Sequence, residues 1–318
     1  MGMRNSQNRI ARICLKTADN IVEIFLIISV LMLLAFGFYA IWDTSKVVEN
    51  ASPVQYEKYK PADDAKLSFV EMRKANPEVF GWLNVYGTKI DYPLVQTGDN
   101  ERYLDTDALC RYSLSGSIFL DYRNDRSFSD FNSIIYGHHM AYHAMFGDIS
   151  EFKEKDFFDS HKYGDIYFDG RNHGIQLFAF LEADAYNTGL YTPGIADGTM
   201  RKAYLAMIEK SAMYYRSIGA TTEDRIILLS TCTSDISNGR HILVGRITDK
   251  IYGDEFLKDE SEADRQLSYV VTALEEDKEL LPLLILGFMV IGTAVAVILI
   301  SRQRQPRYHQ KYRRQGRS

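Results

Sequence analysis

The chain has 318 residues, 46% hydrophobic and 25% charged, with a formal net charge of −5. That is enough apolar material for one substantial core, with residues to spare for membrane segments. Acids outnumber cations, most of all between the two basic ends, which excludes nucleic acid as a partner for the central part.

Residues 1–20 carry Arg4, Arg9, Arg12 and Lys16 against one acid, Asp19, and form an N-terminal tail. The apolar run 21–42 follows, interrupted only by Glu23. It reaches the ~20 residues that cross ~30 Å of hydrocarbon. It is too long for a secretory core, and Tyr39-Ala40-Ile41-Trp42 is a poor cleavage sequence, so it is expected to be a retained anchor. Residues 43–66 are polar, with Pro53 and Pro61, and read as a stalk. Leu67–Ala75 is a short helix candidate stopped before Pro77.

Short alternating runs come next: 82–87, 89–95, 117–122, 133–137, 165–169 and 175–186, each bounded by turn residues. A helix is expected over Gly198–Ile218, where Met200, Tyr204, Met207, Ile208, Met213 and Tyr214 share an apolar face. A hairpin closes the series. Its apolar stretches, Ile226–Leu229 and Ile242–Val244, are rich in residues that strands favour, and TCTSDISNG between them is turn chemistry. Many short strands of even spacing predict a closed or nearly closed antiparallel barrel, mainly β with a few peripheral helices, over 67–254. Residues 255–279 are charged and expected to be a second, helical stalk. A charge-free run, 280–300, is a second expected span, and the tail 301–318 holds Arg302, Arg304, Arg307, Lys311, Arg313, Arg314 and Arg317 without an acid. These flanks put both termini in the cytoplasm and 43–279 outside, with the basic tail facing anionic lipid.

Of the three cysteines, Cys14 falls beside the membrane on the cytoplasmic side, an acylation candidate. Cys110 and Cys232 fall outside. One reading pairs them in a disulfide of a non-enzymatic surface domain; the other leaves Cys110 to packing and Cys232 as a thiol. The hairpin brings Cys232, at the exit of one strand, towards Arg240, at the start of the next, since paired strands lie about 4.8 Å apart. A cation there favours the thiolate. SIIYGHHM (133–140) supplies His138 and His139, and His143 follows. These are zinc ligands, ordinary loop histidines, or a base for Cys232. Adjacent side chains diverge and no Cys or acid completes a zinc set. Cys, His and Arg together offer a nucleophile, a proton carrier and a donor for a developing oxyanion.

Taken with NPEVFGWLNVYGTKIDYPLVQ (76–96), GSIFLDYRN (116–124), MFGDI (145–149), LSTC (229–232) and NGRHILVGRI (238–247), the chain resembles the class B sortases, membrane-anchored cysteine transpeptidases of Gram-positive bacteria. The resemblance implies an eight-stranded sortase-like β-barrel, here flanked by two transmembrane helices, with His138, Cys232 and Arg240 catalytic and His139 a bystander. Ser230 and Thr231, beside the nucleophile, are the candidate substrate contacts. It further implies cleavage of a C-terminal sorting signal of a secreted protein through a thioester, then transfer to an amine on a peptidoglycan precursor or a pilin. No cofactor or metal is implied. A hydrolytic cysteine protease is the competing enzymatic reading, because water and an amine compete for the same thioester. A single N-terminal anchor is usual in this class, so the second apolar run is a departure from it.

Overall fold

The computed structural model describes residues 2–61, 66–140, 143–232 and 239–257. Nine strands form one sheet: β1 (Val79–Val85), β2 (Asp91–Val95), β3 (Ile118–Leu120), β4 (Asn132–Tyr136), β5 (Tyr163–Phe168), β6 (Arg171–Asp184), β7 (Tyr214–Tyr215), β8 (Arg225–Cys232) and β9 (Gly239–Thr248). Their order is β5-β1-β2-β3-β4-β8-β9-β6-β7, and a further β5–β6 pairing joins the ends. Eight strands therefore close into a barrel, with β7 a two-residue addition to β6. Two neighbour pairs, β2–β3 and β4–β8, run parallel; the rest are antiparallel. Closure removes the sheet edges that would otherwise stay open to pairing.

Strand alternation sorts the apolar side chains into two cores. Ile135, Ile227, Leu229 and Leu243 point inward with Phe180, Ile175 and Trp82. Their neighbours Ile134, Ile226, Leu228, Ile242 and Val244 point outward, beneath Tyr204 and Ile208 of a helix. A bulge between Leu177 and Ala179 on β6 shifts the phase of that long strand, so Ile175 and Leu177 before it and Phe180 after it all belong to the inner core.

That helix is α4 (Gly198–Ser211), the fourth after α1 (Gly2–Ala51), α2 (Lys66–Ala75) and α3 (Lys155–Ser160). Asp197 caps it by accepting from Met200 N at 2.9 Å. It is shorter than the 198–218 expected from periodicity, and its buried stripe is narrower, with Met200 64% exposed. The physical reason is β6. Met213 N donates to Phe180 O and Arg216 N to Phe178 O, so Tyr214–Tyr215 become strand rather than helix.

The helix α1 contains Ile13–Ala40, long and apolar enough to cross a membrane, with mean hydropathy 2.7. It continues past the expected stalk start to Ala51, and a 3-10 helix follows over Pro53–Tyr59. Within the expected stalk, three residues contact the barrel. Tyr92 Oη donates to Ala51 O at 2.7 Å, Tyr56 is buried, and Lys60 pairs with Asp91 at 2.6 Å. The expected second span, 280–300, and the tail 301–318 lie outside the described residues, as does the second stalk beyond Leu257. What is described of that stalk is a turn, with Phe256 stacked on His161 at 4.5 Å.

Candidate active site

Three neighbouring strands, β4, β8 and β9, deliver the three candidate residues to one row. Parallel pairing sets Tyr136 opposite Ser230, and the ladder runs one step further, Gly137 N donating to Ser230 O at 3.2 Å. His138 is thereby carried to the level of Cys232. On the other side Cys232 pairs directly with Arg240. Residues level with one another on adjacent strands share a face, and Ile134, Leu228 and Val244 of these strands lie on the outer one. There α4 covers the middle of the strands.

The backbone of His138 is held from two sides, since Phe146 N also donates to His138 O at 3.0 Å. Gly137 is required by close approach: a Cβ on it would lie 2.5 Å from Ile118 Cδ1 and 2.8 Å from Phe146 Cδ2. The ring is oriented by a hydrogen bond of 2.8 Å between His138 Nε2 and Leu104 O. A carbonyl can only accept, so Nε2 carries the proton, and in the neutral ring Nδ1 keeps its lone pair. Arg240 is half-buried and spends one N–H on Gly239 O at 3.0 Å. A guanidinium carries five N–H donors and cannot lose its charge.

The other two histidines of the run go elsewhere. His143 Nδ1 meets Asp148 Oδ1 at 2.5 Å, and Asp148 Oδ2 accepts from Lys89 N at 2.6 Å. His139 forms a β-bridge with Met145, and its Nδ1 is buried without a hydrogen-bond partner. Among the described residues no group of three or more His, Cys, Asp or Glu side chains is arranged to hold a metal ion.

Ser230 and Thr231 are each 2% exposed. The Ser230 hydroxyl is taken up by Tyr191 Oη at 2.9 Å. Thr231 lies one residue out of phase, paired with His241, and turns its Oγ1 to the interior, buried without a partner. Cys110 corrects two expectations. It is exposed and unbridged, so it neither packs in the core nor forms the disulfide with Cys232. It stands at φ 62° with Arg102 Nη2 3.9 Å from its sulfur.

Beneath the row lies a polar group that sequence reasoning missed. Tyr136 donates to Asp121 Oδ2 at 3.1 Å, and Arg123 grips the same carboxylate with two N–H groups, at 2.9 and 2.8 Å. Burial would raise the Asp121 carboxyl, but the hydrogen bonds from Arg123 and Asn100 outweigh it and hold it below its ordinary value. Burial, then the Asp121 charge, pushes the Tyr136 phenol up. Tyr136 also stacks on Tyr191, with ring centroids 6.4 Å apart. The polar run DYRND after an apolar strand was the only signal of this group.

No family model matches the chain. Sortase B of Listeria monocytogenes is 34% identical over 184 residues, covering 57% of this chain and 74% of that protein. The solved structure of a sortase B from the type II pilus of Streptococcus pneumoniae is 46% identical, with TM-score 0.50, and covers 60% of this chain and all of the other. That of a Streptococcus pyogenes class B sortase involved in pilus biogenesis is 39% identical, with TM-score 0.52, covering 56% and 97%.

Proposed function

The chain belongs to the class B sortases and is a cysteine transpeptidase acting on substrate proteins; from that premise we propose that Cys232, His138 and Arg240 carry the reaction, through a thioester. The observation that supports it most is the single row across β4, β8 and β9, with the Leu104 carbonyl leaving Nδ1 of His138 as the basic nitrogen.

In the first step Nδ1 of His138 takes the Cys232 proton and the thiolate adds to a peptide carbonyl near the C-terminus of a secreted protein. Arg240 donates hydrogen bonds to the oxyanion as it forms. The tetrahedral species collapses, its C–N bond breaks, and the leaving amine takes the proton from Nδ1. A primary amine then adds to the thioester, gives its proton back through His138, and expels the thiolate, so one amide is exchanged for another. The pilus-associated relatives favour a pilin as the acceptor over a peptidoglycan precursor. The helix containing Ile13–Ala40 anchors the enzyme, with the barrel on the outer face of the membrane.

The test is mass spectrometry of the full-length protein in detergent, incubated with candidate sorting peptides with and without an amine acceptor. An acyl adduct mapped to Cys232, released as the amide when amine is present, is the expected result. Release only as free acid would make the chain a thiol protease, and absence of any adduct at Cys232 would overturn the assignment.

A further inference from the structure

Asp121 takes no part in the chemistry above, yet it touches both elements that set His138. Its side chain is fully buried. Arg123, two residues away, already supplies charge balance through its two-pronged contact. The buried carboxylate has further lone pairs to satisfy, and what matters is where the donors that satisfy them come from. Oδ2 accepts two further hydrogen bonds, from Tyr136 Oη and Asn100 Nδ2, each at 3.1 Å. The two donors come from different parts of the chain.

Tyr136 ends β4 two residues before His138, so the hydrogen bond from its phenol to Asp121 ties down the strand end beside the imidazole. Asn100 stands in the loop that runs into the short 3-10 turn Arg102–Leu104, whose last carbonyl holds Nε2 of His138. Asn100 is itself oriented, because its Oδ1 accepts from Tyr122 N at 3.0 Å, next to Asp121. The start of the same loop is tied down by Asp99, which accepts from Glu101 N and Arg102 N at 2.8 and 2.9 Å. One carboxylate thus links the strand that presents the imidazole to the loop that fixes its tautomer.

We propose that Asp121 is a positioning residue of the transpeptidase, coupling the end of β4 to the loop 99–104 so that His138 and the Leu104 carbonyl stay aligned. This rests on His138 and Cys232 being the catalytic pair. Hydrogen bonds to an ionised acceptor are stronger than neutral ones, which suits a group that must hold two elements at a set spacing. Misplacement of a reacting group by about 1 Å costs on the order of 100-fold in rate.

The test compares Asp121→Asn, Tyr136→Phe and Asn100→Ala in the full-length protein in detergent. Tyr86→Phe is a matched control that deletes a phenol hydrogen bond in another part of the barrel, to Tyr252 O. Two quantities are read: kcat and KM for peptide transfer, and the His138 tautomer from nitrogen-15 imidazole spectra without substrate. The coupling predicts that Tyr136→Phe and Asn100→Ala lose about 10-fold or more in kcat with little change in KM. Their His138 spectra move from one tautomer towards a mixture, while Tyr86→Phe keeps parent values. Should Asp121→Asn fail to fold, the other two variants decide. Lower thermal stability with parent kcat and parent tautomer would reduce Asp121 to a structural ion pair and overturn the proposal. A parent protein without transfer activity would sink the catalytic assignment, and the tautomer measurement would still judge the coupling.

Discussion

Gly137→Ala tests how tightly the barrel core dictates the place of His138. The added Cβ would stand 2.5 Å from Ile118 Cδ1 and 2.8 and 2.9 Å from Cδ2 and Cγ of Phe146. Carbon atoms rest about 3.5–4.0 Å apart, so roughly 1 Å of overlap has to be relieved. Neither neighbour can retreat into solvent, Ile118 being 1% and Phe146 0% exposed. Overpacking of this kind costs about 1–3 kcal/mol; about 2 kcal/mol corresponds to a Tm lower by roughly 4–8 °C for a domain of this size. If the backbone yields instead, the Gly137 N to Ser230 O hydrogen bond stretches and His138 moves with it. Acylation of Cys232 then falls by up to about 100-fold. Calorimetry and the rate of adduct formation on the folded variant separate the two routes. Trimming the obstacle in Gly137→Ala/Phe146→Leu should recover part of whichever quantity was lost. A Gly137→Ala protein with the parent's Tm and the parent's acylation rate would refute the close-packing account.

Arg240→Lys keeps the charge but loses the planar fork, so thioester formation should drop by ~10²-fold or more, measured with saturating peptide; parity with the parent would leave Arg240 as a local charge only. Cys110→Ser should change the unfolding free energy by less than about 0.5 kcal/mol, because the thiol is exposed; a larger loss by urea titration would show a packing role. His143→Ala should keep activity per folded molecule and cost about 1 kcal/mol, since Asp148 loses one partner and keeps Lys89 N. His173 is buried, stacked on Phe168 at 4.0 Å, and burial followed by the Arg171 and Arg225 charges lowers its pKa. The stability it contributes is full above about 6.5, the unfolded value, and is lost as pH falls through the lower folded value. Urea midpoints of the parent should decline over that range, and those of His173→Gln should decline less.

Local patterns in the sequence determined the strands and the residue types of the site. Alternation with turn residues marked β1 to β6, β8 and β9 because the pleat itself has period two. A thiol, an imidazole and a guanidinium at strand ends were legible because their chemistry belongs to the side chain wherever it sits. Phase decided more than composition. Ser230 and Thr231 read alike as polar residues beside Cys232, but the ladder with β9 turns one under Tyr191 and the other into the barrel. Gly198–Ile218 carried helical periodicity, yet its last part became β7 because β6 offered backbone partners that no local window contains. Cys110 counted as apolar by type, and its exposure followed from the path of the loop around it.

What only the tertiary structure decided is the meeting of His138 with Leu104 O and the convergence of Arg123, Asn100 and Tyr136 on Asp121. A backbone carbonyl carries no mark of its residue type, and Leu104 precedes His138 by 34 positions. Parallel pairing of β4 with β8 crosses still longer stretches of chain. Such contacts follow from closing the barrel, where strand order, register and excluded volume are satisfied together, and periodicity within a window of ten residues holds no information about any of them.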